Sequence, residues 1–266
     1  MLRFRAFGAI DLHREGGERL EDLLSQPKRL ALLAYLAERQ PSGPVRREQI
    51  LSLLWHESAP SSGRHALSSS LSRLRRTLGG EVLRGSGEET LWLSPDDFRS
   101  DVADFRDAIE AGSPRDALDL YRGPFLEGFR PPEARPFEEW VEERREVYHR
   151  RAYEAGLEAG EAALERGDAE AAEHCFRRSH GIGPLRQEAA EGLMRVLAER
   201  GKRSDALQFY DTFRERLADE LDVAPSGELR ERAADLRSER DSVPRDVAGR
   251  STDSGADASA SEGRAE

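Results

Sequence analysis

The sequence predicts a mainly α chain, with a small α+β part at the N-terminus and an all-α repeat part after it. Three observations carry this. Residues 2–97 run in the order short strands, three helices, hairpin. From Phe98 onward the pattern is helical throughout. Within that stretch a block recurs at an offset of 34 residues: Glu165-Arg166-Gly167 returns as Glu199-Arg200-Gly201, and Ala172 with Phe176 returns as Ala206 with Tyr210.

The elements follow in order. Leu2, Phe4 and Ala6 share one parity, and Ile10 and Leu12 resume it after Gly8, which predicts one or two short strands. Glu18 to Asp22 is read as a further strand. Ser25-Gln26-Pro27 marks a helix start, with Ser25 as cap and proline in the first turn, where its missing N–H costs nothing. Leu30, Leu33, Ala34 and Ala37 then recur at helical spacing until Gln40-Pro41-Ser42-Gly43-Pro44 ends the run. A second helix is expected from Val45 to Trp55, with Ile50, Leu51 and Leu54 on one face. A third is expected from Ser62 to Leu78, ending at Gly79-Gly80. Glu81 to Arg84 and Thr90 to Leu93, joined through Gly85-Ser86-Gly87-Glu88, read as a hairpin. This order describes a winged helix-turn-helix over residues 1–97.

Residues 98–240 form the second expected domain. A period of 34 with a small residue and then an aromatic is a tetratricopeptide-like pattern. Gly112, Ala117 and Tyr121 supply a more distant copy, 55 residues before Gly167. The alanine lets helices approach and the aromatic fills the groove between repeats. Residues 241–266 contain no Leu, Ile or aromatic residue, and are expected to be a disordered tail, because they cannot bury enough apolar surface to offset ordering entropy.

Composition narrows the function. The net charge is −11, but it is unevenly spread. Residues 1–97 carry 14 basic and 13 acidic side chains, and residues 98–266 carry 27 and 39. Residues 23–84 carry 10 basic against 4 acidic. A polyanion-facing segment beside an acidic one fits this asymmetry. No signal-peptide pattern and no apolar run of membrane-spanning length is present, so the protein is expected in the cytoplasm, off the membrane. Cys175 is the one cysteine and reads as a small core residue. His13, His56, His65, His149, His174 and His180 are scattered without ligand spacing, and no phosphate-cradling loop or nucleophile elbow occurs. Neither an enzyme nor a cofactor is expected.

The third helix carries the functional reading. At 100° per residue, Leu71, Leu74 and Leu78 fall within about 40° of Leu67, a stripe for the domain core. His65, Ser69, Ser72, Arg73 and Arg76 lie opposite, a face without an acidic residue. Serines keep a helix thin enough to approach base edges, and arginine can hold guanine or phosphate bidentately. An ordinary solvated face would mix Glu and Lys instead. Lys28 and Arg29, near the first helix start, and Arg46 and Arg47, near the second, would hold phosphates. For each of these four the alternative is a solvated surface charge. Arg84 and Ser86 in the hairpin would reach the minor groove.

These residues also carry a family resemblance. Arg46-x-Glu48-x-Ile50-Leu51 leading to Trp55, then Ser72-Arg73-Leu74-Arg75-Arg76-x-Leu78, resembles the OmpR/PhoB-type winged helix. The remainder resembles the bacterial transcriptional activator domain of the small antibiotic-regulatory activators. It does so through Leu120-Tyr121-Arg122-Gly123-Pro124-Phe125-Leu126-Glu127-Gly128-Phe129 and Glu139-Trp140. Ala206-Leu207-x-x-Tyr210 and Arg216-Leu217-Ala218-Asp219-Glu220-Leu221-x-Val223-x-Pro225-Ser226 extend the match. The resemblance covers roughly residues 2–240. It implies an activator that binds double-stranded DNA repeats upstream of promoters and contacts RNA polymerase, with Arg73 and Arg76 on the recognition helix. A nucleotide-binding segment and a receiver domain, present in larger relatives, have no counterpart here. A homodimer on DNA is left open. The rival reading is a helical-repeat interaction adaptor whose winged helix docks on protein, which would require apolar residues on the exposed face of the third helix.

Overall fold

The computed structural model describes residues 1–87 and 89–241. The expected tail, beyond Asp241, lies outside the described residues. In chain order the first elements are Leu2–Arg5 (β1), Asp11–Arg14 (β2), Glu21–Leu24 (α1), Pro27–Arg39 (α2), Val45–Arg46 (β3), Arg47–Leu54 (α3) and Pro60–Leu78 (α4). Leu83–Ser86 (β4), Thr90–Leu93 (β5) and Phe98–Ser100 (β6) follow. Then come Asp101–Glu110 (α5), Pro114–Leu120 (α6), Arg135–Glu165 (α7), Ala169–Ile182 (α8), Gln187–Glu199 (α9), Arg203–Leu221 (α10) and Gly227–Asp241 (α11). The chain is thus mainly α, with the α+β part first.

Five sequence expectations change. Glu18 to Asp22 is not a strand: only Arg19 bridges to His13, and Glu21 opens α1. Ser25 does not cap α2, because it is already the C-cap of α1 and its hydroxyl donates to the Asp22 carbonyl; the N-cap is Gln26. Val45 and Arg46 belong to a strand rather than to the second helix, since buried Val45 pairs with Leu91 and Arg46 with Thr90. Phe98–Ser100 is likewise a strand, laid parallel to β1 with Phe98 beside Leu2. The third helix begins two residues earlier than expected, with Pro60 in its first turn.

Two three-stranded sheets result, in the orders β2-β1-β6 and β3-β5-β4. The hairpin register sets Leu83 opposite Leu93 and Gly85 opposite Leu91. One continuous core runs from Leu2 through the winged-helix leucines to Ala155 in α7. A second begins at Ala163 and ends at Leu236. The proposed division after residue 97 falls at the start of β6, inside the first core.

The contact between the two parts is dense. The Gly8 N–H donates to the Pro124 carbonyl at 3.0 Å and the Leu126 N–H to the Ala6 carbonyl at 2.7 Å. Gly8 has φ +73°, and a Cβ on Gly123 would sit 2.9 Å from the Gly8 Cα, so both positions need glycine. Asp101 accepts the N–H groups of Ala6 and Phe7 at 2.8 and 3.0 Å. Burial pushes its carboxyl up to about 6, against the opposing pull of those N–H groups. The Phe7 ring lies 5.2–6.5 Å from Phe105, Tyr121, Phe125 and Tyr148. The stretch Leu120 to Phe129 is therefore the seam to the N-terminal part.

The repeat has a physical basis. Gly112, Gly167 and Gly201 have φ of +66°, +75° and +71°. In each copy the residue after the glycine donates its N–H five residues back, Ser113 to Ala108, Asp168 to Ala163 and Lys202 to Leu197, closing a Schellman cap. Ala117, Ala172 and Ala206 are fully buried, with Tyr121, Phe176 and Tyr210 beside them. Phe176 presses into notches at Gly160 and Gly192, where an added Cβ would lie 2.7 and 2.4 Å from the ring.

Candidate nucleic-acid interface

The interface is built on α4. Leu67, Leu71, Leu74 and Leu78 are each at most 2% exposed, so the wheel places the stripe correctly. Gly63 continues it, lying 3.5–3.7 Å (from an ideal Cβ) from Leu51, Trp55 and Ser58, which lets α3 and α4 close up. At the other end, Arg14 from β2 donates to the carbonyls of Thr77 and Leu78 at 2.6 and 3.4 Å, placing a cation on the helix C-terminus.

With that face fixed, His65, Ser69, Ser72, Arg73 and Arg76 are all exposed on the opposite one. Among the described residues no acidic side chain pairs with Arg73 or Arg76, nor with Arg46, Arg47 or Arg64. In the helical part many arginines instead hold carboxylates, among them Arg115, Arg145, Arg178, Arg195 and Arg200. An arginine that is left unpaired keeps its full charge and its exposed donors for an outside partner; in Arg47 the Nε is buried, which leaves the terminal nitrogens.

Arg46 and Arg47 are brought to His65 across a cleft of about 670 Å³ between the start of α3 and the first turns of α4. Arg64 and Ser68 line the same cleft, with Leu51 and Leu67 as floor and Glu48 and Glu89 at its edge. Sequence reasoning passed over Arg64 and Ser68. On the wheel they sit on the shoulder between stripe and outer face, and only the docking of α3 sets them opposite Arg46. Arg75 was also passed over: its Nε donates to the Leu83 carbonyl at 3.3 Å, tying α4 to the hairpin.

The remaining candidates stand apart. Lys28 faces Glu133 of the helical part at 3.4 Å. Arg29 donates to the Gln26 side chain at 3.1 Å. Arg84 is held by the Glu81 carbonyl at 3.1 Å and lies 3.6 Å from the carboxylates of Glu81 and Asp97. Ser86 is exposed at the end of β4, paired through its backbone with Thr90. No helix among the described residues is long and apolar enough to cross a membrane.

Comparison with known proteins gives consistent relatives. The model of the bacterial transcriptional activator domain matches residues 97–237. The chain is 32% identical to regulatory protein AfsR of Streptomyces coelicolor over 86% of its own length and 24% of that protein's. It is 28% identical to transcriptional regulatory protein EmbR of Mycobacterium tuberculosis over 77% of its length and 56% of EmbR. It thus spans about a quarter of the one and about half of the other. A solved structure, Mycobacterium tuberculosis EmbR in complex with a low-affinity phosphopeptide, superposes with TM-score 0.59 at 25% identity, over 90% of this chain and 65% of that one.

Proposed function

The chain belongs to the bacterial transcriptional activator domain family, and on that premise we propose that it regulates transcription by binding double-stranded DNA in a sequence-specific way, as an activator, without catalytic activity. α4 lies in the major groove. His65, Ser69, Ser72, Arg73 and Arg76 face base edges, while Arg46, Arg47 and Arg64 hold the flanking backbone. The helical part contacts RNA polymerase. Two copies on adjacent repeats are compatible with this arrangement.

The observation that carries the reading is the unpaired arginine surface on α3 and α4, free of acidic partners among the described residues. The adaptor reading calls for exposed apolar residues on α4, and that face is polar. Fluorescence anisotropy on fragments of the native upstream region tests the proposal. Affinity should fall steeply with salt, because each phosphate neutralised releases counterions. A salt-independent affinity, or no binding to any genomic fragment, would overturn it.

A further inference from the structure

The turn between α10 and α11 is unlike the other turns of the repeat. Those at Gly112, Gly167 and Gly201 reverse the chain with a glycine followed by a polar residue. Here Asp222 takes the left-handed conformation, at φ +54°, between two apolar residues. Leu221 is 52% and Val223 45% exposed; with Met1 they are the exposed large apolar side chains among the described residues. Every residue from Ala218 to Ala224 is exposed. Asp219, Glu220 and Asp222 flank the apolar pair in sequence; Glu220 lies 3.6 Å from Arg216, and Asp219 and Asp222 have no cationic partner among the described residues.

The turn is also held firmly. Pro225 is buried, the Ser226 N–H donates to the Gln187 side chain at 2.5 Å, and its hydroxyl bonds the Glu191 carboxylate at 2.8 Å. A turn serving only to connect two helices would stabilise the fold better with polar residues here. A fixed apolar pair flanked by acidic residues has the anatomy of a contact patch, with its apolar centre and polar rim. Its charge calls for a partner with the opposite rim.

We propose that the Leu221–Val223 turn is the activating surface of this regulator, inserting into an apolar socket edged by Lys and Arg on RNA polymerase. This rests on the DNA-binding reading above. The patch lies on the surface between Leu217 and Leu229, members of the second core, and outside the first core that carries α4, so altering it leaves the α4 surface intact.

The experiment uses the full chain, a promoter fragment carrying a site that the full chain selects, and purified RNA polymerase holoenzyme of the host. The double variant Leu221→Ser, Val223→Ser should bind the fragment within twofold of the parent and melt at the same temperature. Its stimulation of single-round transcription should fall to the level seen without regulator. Asp219→Lys, a change at an exposed position, should lower stimulation at least threefold. Variants that stimulate like the parent overturn the inference, as does a parent that binds DNA and stimulates nothing. A parent that sediments as a dimer and a double variant that sediments as a monomer would assign the patch to a second copy instead, which also overturns it. A parent that binds no DNA fails the earlier reading, and the binding measurement shows this separately.

Discussion

At the scale of single residues, the proposed interface would divide into side chains that read and side chains that hold. Arg73→Ala and Arg76→Ala should each cost about 1–3 kcal/mol of specific binding and relax preference at one or two operator positions. Arg46→Ala, Arg47→Ala and Arg64→Ala should instead weaken specific and random DNA alike, and each should lower the salt slope by about one unit. Site selection with every variant, run beside thermal melts, checks both statements. Full affinity and unchanged preference in folded Arg73→Ala and Arg76→Ala would remove α4 as the reader. Leu71→Ala is the control and should cost about 2–5 kcal/mol of stability. The outer face of α4 was legible in the sequence because helical geometry alone fixes which residues oppose a leucine stripe. The ties of Lys28 to Glu133 and of Arg84 to Asp97 were not, since each depends on a partner that only tertiary folding brings near. Glu173 is a further case: Arg177 of α8, and Arg200 and Lys202 of the turn between α9 and α10, converge on it at 2.6–2.9 Å. Burial works to raise its pKa, yet the bonds from Lys202 and Arg177 hold it below the ordinary glutamate range. A lowered folded-state pKa contributes stability at neutral pH that is lost as pH falls through that range. The melting difference between the parent and Glu173→Gln should therefore be present at pH 7 and shrink below about pH 4. A difference that is constant with pH would show that the carboxylate's charge is irrelevant.

At the scale of elements, glycine placement decides the outcome. Gly→Ala inside a helix normally stabilises by about 1 kcal/mol. Gly192→Ala in α9 should reverse that sign, because the new methyl would meet the Phe176 ring at 2.4 Å and overpacking costs about 1–3 kcal/mol. Phe176→Leu should recover part of the loss in the double variant, as denaturant unfolding would show; a stabilised Gly192→Ala would mean the ring is free to move aside. The 34-residue block was legible because its glycine, alanine and aromatic each answer a local need: a left-handed cap, a close approach and a filled groove. The helices of the N-terminal part were legible for the same reason, through period and caps. The strands β3 and β6 were not. They are two and three residues long, too short for alternation to register, and they exist because Leu91 and Leu2 offer them an edge.

At the scale of the whole molecule, the first core joins what the sequence reads as two parts. Separating residues 98–240 from 1–97 would strip Phe7 from its ring cluster and leave the Asp101 carboxylate without its two N–H donors. Phe7→Ala should cost about 3–5 kcal/mol and lower the melting of both parts together, as followed by hydrogen exchange at Ala6, Gly8 and Leu126. Loss of protection in one part alone would show that they unfold independently. The sequence could place Arg122-Gly123-Pro124-Phe125-Leu126 in a motif, but not against Ala6–Gly8, because that contact spans more than a hundred residues. From this seam runs α7, 31 residues and so about 46 Å long. It starts where Trp140 meets Tyr35 of α2, 5.0 Å between rings, and ends inside the second core. Such an unbroken helix has no swivel, so with α4 seated on DNA as proposed, a surface at its far end would be fixed in azimuth around the DNA axis. DNA turns once in about 10.5 base pairs. Stimulation should therefore oscillate with the spacing between operator and promoter: about five inserted base pairs put the far end on the wrong side of the double helix, and about ten bring it back in phase.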